Sequence, residues 1–296
     1  MGASLQSRFF EWAIRALGIK ARLGRLEGMR ERVLKGRPKD PRPVRSVYRR
    51  FRVEERLESG RRVFTVSAKV SAARVQVLYL HGGGYVAEIM DAQWKMLGKL
   101  IDRAEIAVTV PLFPLAPEVQ CEEVLGFVTE VYERWARESA GLPLVVLGDS
   151  AGGGMALALA QVLRAAGKRL PEGLVLISPW LDVTFSDPSQ GELERLDPIL
   201  SRPSLREKGL WYAGSLAATD ARVSPIFGEM DGLPPMMVLA GTHDLLFADA
   251  VRLRALVPNI RWVEGAEMMH VWPLMAIPEA KSALDEIAGF VMERAR

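Results

Sequence analysis

Residues 144–152 read Leu144-Val145-Val146-Leu147-Gly148-Asp149-Ser150-Ala151-Gly152, and an Ala- and Leu-rich stretch continues to residue 167. Four apolar residues running into a glycine describe a buried strand, and the Ala/Leu run after them describes a buried helix. The strand must turn into the helix at once. Such a corner leaves no room for side chains, which accounts for the small residues around Ser150. A lone G-x-S-x-G pentapeptide is a weak signal; its position between a strand and a helix gives it meaning. The corner lifts the serine hydroxyl out of the sheet, and the helix N-terminus sets backbone N–H groups and a positive dipole end beside it.

Outward from this corner, strands and helices alternate. The pattern predicts strands over 75–80, 105–110, 143–148, 173–178, 235–240 and 260–264, and helices over 91–103, 121–139, 151–167, 246–256 and 276–294. Alternation of this kind gives an α/β fold, a mostly parallel central sheet with helices on both faces. Upstream, 46–53 and 62–70 alternate around Gly60 and predict an antiparallel pair at one edge. Residues 4–17 carry Leu5, Phe9, Trp12 and Ala16 at helical spacing, with Ser4 as a cap. A second helix is expected over 21–35, ended by Gly36 and followed by Pro38, Pro41 and Pro43. Residues 182–223, with a helical piece around 204–216, are too long for a simple crossover. They suit a lid built together with the N-terminal helices. The expected organisation is a helical cap segment at 1–45 and a catalytic domain at 46–296 with the second cap piece inserted in it.

Composition narrows the function classes. With 296 residues, 49% of them hydrophobic, the chain can bury a large core without metal or disulfide. Cys121 is the only cysteine, so an internal disulfide is impossible; a reducing compartment fits, and a cytoplasmic location is expected. The N-terminus has no basic stretch leading into a continuous apolar core, so no secretory signal is expected. The apolar run 142–163 is broken by Asp149 and glycines, so no transmembrane span is expected. Net charge is +3, yet residues 1–62 carry +11 and the remainder −8. No zinc-ligand spacing and no RNA-binding signature accompanies the basic segment, which argues against nucleic acid. It suits a solvated helical face, a cap whose apolar side covers a pocket, or weak contact with anionic lipid through Phe9, Phe10 and Trp12.

A serine hydroxyl needs a base to act as a nucleophile. The chain has three histidines, so elimination is possible. His81 opens His81-Gly82-Gly83-Gly84-Tyr85 at a strand end, His243 abuts Asp244, and His270 follows the last predicted strand. A serine hydrolase built on such a sheet runs in chain order serine, acid, histidine. Ser150, Asp244 and His270 satisfy that order. His243 reads as a loop histidine beside the site. Asp249 rivals Asp244 for the acid but falls on the following helix. Consecutive glycines at 82–84 let backbone amides turn toward an oxyanion. No Lys-Ser/Thr follows them and they do not form G-x-G-x-x-G, which argues against a phosphate loop.

Together these features resemble the hormone-sensitive-lipase family of α/β-hydrolases, over about residues 75–295. Phe113-Pro114-Leu115-Ala116-Pro117-Glu118 resembles that family's Y-R-L-A-P-E segment, with Phe-Pro in place of Tyr-Arg. Ser178-Pro179-Trp180-Leu181-Asp182, Ser224-Pro225 and Asp244-Leu245-Leu246 with Asp249 resemble its later loops. The resemblance implies Ser150 as nucleophile, His270 as general base and acid, and Asp244 as the residue orienting it. It implies oxyanion donors among Gly82, Gly83 and Gly84 together with Ala151, no metal or cofactor, a small ester substrate, and pairing into a homodimer. Tyr85, Trp180, Trp211 and Tyr212 are the aromatic candidates for the pocket wall. Trp272, where the family often has Phe, is expected to tighten the pocket near the base. The expected activity is a carboxylesterase for short- to medium-chain acyl esters; a lactonase, amidase or natural-product deacetylase uses the same machinery, and a non-catalytic binding protein would lack the histidine.

Overall fold

The computed structural model describes residues 2–38, 40–139 and 141–295. The chain enters through three short helices, α1 (Leu5–Ala16), α2 (Ile19–Gly24) and α3 (Met29–Gly36), and then α4 (Arg45–Arg50). Strands β1 (Arg52–Glu58), β2 (Arg61–Ser67) and β3 (Val75–Leu80) follow, then α5 (Asp91–Ile101), β4 (Ile106–Pro111), α6 (Cys121–Glu138), β5 (Leu144–Asp149), α7 (Ala151–Ala165) and β6 (Gly173–Ile177). The long insertion holds α8 (Gln190–Leu196) and α9 (Arg202–Ala213). The chain closes with β7 (Met236–His243), α10 (Phe247–Leu256), β8 (Arg261–Met269) and α11 (Pro278–Met292).

All strands join one sheet in the order β1-β2-β4-β3-β5-β6-β7-β8. β2 runs antiparallel to both β1 and β4, and every pair from β4 to β8 is parallel. Strand alternation sorts the core. Leu78, Leu80, Leu144, Val146, Leu174, Leu176 and Val238 face one way, toward α6 and α7. Val77, Tyr79, Val145, Leu147, Val175, Ile177 and Leu239 face the other, toward α5 and α11. Strands buried on both faces are the apolar runs that the sequence displayed. The order of chain entry reverses beside β3, with β4 on one side and β5 on the other, and crevices at strand carboxyl ends open at such a point.

Two N-terminal expectations are corrected. Residues 46–53 are not a strand: α4 covers Arg45–Arg50 and β1 begins at Arg52. Val47 and Phe51 lie four residues apart, so they share a helical face as well as a strand face, and both are buried against α5 and its neighbours. The hairpin then turns at Ser59-Gly60, both with positive φ (46° and 76°), which is the geometry of a tight two-residue connection. The helix expected over 21–35 is split into α2 and α3: the backbone turns extended at Arg25, which ends α2, and α3 starts afresh after Gly28, whose φ of 62° reverses the chain.

The N-terminal helices reach the insertion. The Ser204 hydroxyl on α9 donates to the Leu23 carbonyl (2.9 Å), and Lys20 Nζ donates to the Asp197 carbonyl (3.0 Å). Leu5, Phe9 and Trp12 form an exposed ridge on α1, whereas Phe10 turns inward against the α11 side of the core.

Candidate active site

The site lies at the carboxyl edge of β3, β5, β7 and β8. Ser150 sits between β5 and α7 with φ 53° and ψ −122°, a conformation that an L-residue holds only under constraint. The constraint is visible. The Ser150 N–H donates to the Ile177 carbonyl (2.8 Å), and the Trp180 N–H donates to the Ser150 carbonyl (2.9 Å). A Cβ on Gly148 would lie 2.2 Å from the Gly152 carbonyl oxygen, and one on Gly152 would lie 2.0 Å from the Leu80 carbonyl oxygen. Strand and helix backbones thus touch where side chains are missing. Gly152→Ala should cost about 3 kcal/mol or more, since rigid backbone is what must yield. The check is a lower urea midpoint with an unchanged m-value; a midpoint matching the wild type would count against this contact.

From the corner, three side chains form a line. The Ser150 hydroxyl donates to His270 Nε2 (2.9 Å), and His270 Nδ1–H donates to Asp244 Oδ2 (2.9 Å). Asp244 ends up here because it directly follows β7, where its other oxygen accepts the Leu246 N–H (2.9 Å). His270 follows β8. The next residue, Val271, sits at φ 50° and donates its N–H to the Ser178 hydroxyl (3.1 Å), a partner the sequence did not announce. Ser150 is only 8% exposed and His270 only 5%, so this line is sheltered from bulk water. Burial opposes charge on the His270 imidazole; Asp244 outweighs it, aided by Asp197 and Asp149, and holds the pKa above the ordinary 6.5.

The other candidates separate from this line. His81 is buried and stacked on Phe113 at 4.2 Å, and burial pushes its pKa down to about 4, so it packs as a neutral ring. His243 meets Glu11 of α1 (3.1 Å) and fastens that helix to the end of β7. Asp249 faces Gln190 and Arg252 instead of His270, and burial raises its pKa to about 8.

The glycine run is resolved by what surrounds it. The Gly82 N–H donates to Asp149 Oδ1 (2.9 Å), so this amide is already committed and is corrected out of the oxyanion set. Among the described residues, the N–H groups of Gly83, Gly84 and Ala151 have no partner. Gly83 (φ 131°) and Gly84 (φ 62°) occupy backbone regions that L side chains rarely adopt. Asp149 also accepts from Gln93 Nε2 (3.1 Å) and from the Tyr79 hydroxyl, which clamps the glycine loop to the serine corner. Burial raises the Asp149 pKa, against these donors. The sequence placed a carboxylate at the end of a buried strand, which is the signal that partners such as Gln93 had to exist.

The aromatic candidates are corrected too. Tyr85, Trp180 and Tyr212 are buried and pack with the α6–α7 side of the core, Tyr85 and Tyr212 stacked at 3.7 Å. Trp211 is half-buried and donates to Glu207 (2.9 Å) on its own helix. Trp272 is buried beneath β8 with the α5–α11 side of the core, so it does not narrow the pocket. The contacts over the glycine loop come from α9. A Cβ on Gly84 would meet the Lys208 Cδ at 3.3 Å and the Leu205 Cδ2 at 3.9 Å.

Comparison with known proteins agrees with this fold. The α/β hydrolase fold family matches residues 77–274. An esterase of Acinetobacter venetianus is 29% identical over 245 residues, 78% of this chain and 79% of its own length. An acetyl-hydrolase of Streptomyces hygroscopicus is 33% identical over 230 residues, 74% of this chain and 75% of its own. The crystal structure of an esterase from the bacterial hormone-sensitive-lipase family superposes with a TM-score of 0.83 at 26% identity, covering the whole of both chains. By fold, site layout and relatives, the chain belongs to the α/β hydrolase fold family, in its hormone-sensitive-lipase branch.

Proposed function

We propose that this protein is a serine carboxylesterase acting on short- to medium-chain acyl esters through an acyl-enzyme on Ser150. The observation that carries the reading is the pair of 2.9 Å hydrogen bonds by which His270 joins Ser150 to Asp244. In this reading the Ser150 oxygen attacks the ester carbonyl carbon while its proton passes to His270 Nε2. The negative charge that develops on the carbonyl oxygen is met by the N–H groups of Gly83, Gly84 and Ala151. His270 then gives the proton to the departing alkoxide. Water repeats the attack on the acyl-enzyme, with His270 as base, and frees the acid and the serine. Asp244 keeps the imidazole in the tautomer whose Nε2 can accept, and balances its positive charge in each half-reaction.

Two observations bear on the substrate. The Streptomyces hygroscopicus relative is named for acetyl hydrolysis, which supports a small acyl group and, as a second reading, removal of an acetyl group from a larger natural product. The position of Leu205 and Lys208 over Gly84 supports a cap made of α1–α3 with α8 and α9, closing on the acyl side. A p-nitrophenyl ester series from acetate to dodecanoate tests both. Its kcat/KM should peak at the short or medium acyl chains and fall toward dodecanoate. Leu205→Ala should move the peak to longer chains by cutting a four-carbon wall back to a methyl, with about a fivefold gain on the longer ester. A peak at dodecanoate in the wild type, or an unmoved peak in the variant, would overturn the cap reading.

A further inference from the structure

One buried carboxylate near the site has no part in the steps above. Asp197 lies in the segment between α8 and α9, followed by Pro198, and it is fully buried. Its Oδ1 accepts the N–H groups of Ile199 (2.7 Å) and Leu200 (2.8 Å), which closes a local turn. Its Oδ2 reaches away from that turn and accepts the Leu245 N–H (2.8 Å). Leu245 is the residue after Asp244, and the next amide, that of Leu246, is taken by Asp244 itself (2.9 Å). Two consecutive amides at the end of β7 are therefore held by two carboxylates. One belongs to the pair with His270, and the other arrives from 48 residues away in the insertion.

We propose that Asp197 is a positioning residue for the Asp244–His270 pair, pinning from the insertion the turn that presents Asp244. This rests on the esterase reading of the same site. Three N–H donors converge on the two oxygens of Asp197, so it binds as an acceptor throughout. A neutral amide in its place must turn an NH2 group toward at least one of those donors. The segment carrying Asp197 is itself held from the N-terminal helices, because Lys20 Nζ donates to the carbonyls of Asp197 and Glu194 and Arg15 donates to the Leu196 carbonyl. The seating of α1 and α2 is thereby linked to the orientation of Asp244 through a continuous set of hydrogen bonds.

The charged groups around this point are Asp244 and His270 ahead of the carboxylate, Lys20 at its main chain, and the Glu194–Arg202 pair behind it. Burial and the neighbouring Asp244 push the Asp197 pKa up, while the amides oppose them. Its negative charge helps hold the proton on His270. Loss of that charge must therefore lower the His270 pKa.

The test is Asp197→Asn alongside Asp197→Ser, with p-nitrophenyl butyrate turnover from pH 5 to 9 and thermal unfolding on the same samples. Serine can still accept from the Ile199 and Leu200 amides, so it spares the local turn if the asparagine variant fails to fold. The expected result is kcat lower by about ten- to hundredfold with KM within about twofold. The acid limb of the profile should move down by roughly half a unit to one unit. A part that is only structural would lower Tm and leave the limb in place. Folded variants with wild-type kcat, or with an unmoved acid limb, overturn the inference while the esterase reading stands. A wild type that turns over none of the esters overturns both.

Discussion

Ser150→Ala should reduce kcat/KM on p-nitrophenyl butyrate by about a millionfold, leaving at most a small excess over the uncatalysed rate. The size follows from the arrangement. The hydroxyl oxygen is the only atom removed, and its hydrogen bond in the structure is to His270 Nε2. The amides of Gly83, Gly84 and Ala151 remain to hold a carbonyl oxygen, but nothing is left to attack the carbon beside it. At about 1.4 kcal/mol per tenfold, the loss is about 8 kcal/mol of transition-state stabilisation. Stability should barely change. The φ of 53° strains alanine as it does serine, and the backbone bonds to Ile177 and Trp180 do not involve the side chain. Unfolding within about 2 °C of the wild type, together with lost labelling by a fluorophosphonate probe, is the expected pair of results. Turnover at the wild-type rate would sink the assignment of Ser150 as nucleophile.

The parts of this site that could be read from the sequence are those set by one strand end at a time. Ser150 is marked by the glycines its corner requires, and Asp244 and His270 each follow a strand directly, so order along the chain was enough to pick them. The parts that could not be read depend on how distant segments meet. Gly82 looks identical to Gly83 and Gly84 in sequence, and only the Asp149 carboxylate beneath it decides that its amide is taken. Asp197 precedes a proline in the insertion, yet nothing in its spacing tells that its second oxygen reaches Leu245. The buried Trp180, Tyr212 and Trp272 illustrate the same limit. An aromatic residue near a motif can face the pocket or the core, and packing from both sides of the sheet chose the core. The α4 misreading has a different origin. Residues 47 and 51 satisfy period two and period 3.6 alike, and tertiary burial broke the tie.

Asp244→Asn should lower kcat by about ten-thousandfold while leaving KM close to its wild-type value. In the wild type the Asp244 carboxylate can only accept, so His270 Nδ1 carries the proton and Nε2 is left to accept from Ser150. An amide in that place can offer its NH2 to Nδ1, which moves the imidazole proton to Nε2 and turns the base away from the serine. The imidazolium formed during attack also loses its counter-charge in a site with little water. Both effects act on the transition state and hardly on the bound ester, hence the selective loss in kcat. The pH profile supplies an independent check. With Asp244 ionised, His270 stays protonated to a pH above the ordinary 6.5, so wild-type kcat/KM should halve above that value and fall further as acid protonates the base. Without the carboxylate the largest force raising that pKa is gone and burial is opposed only by the more distant Asp197 and Asp149, so the acid limb of the residual activity should lie below the wild-type limb. A variant that keeps its limb in place would mean that Asp244 is not the group facing the imidazole during turnover, and Asp197 would become the carboxylate to test in its stead.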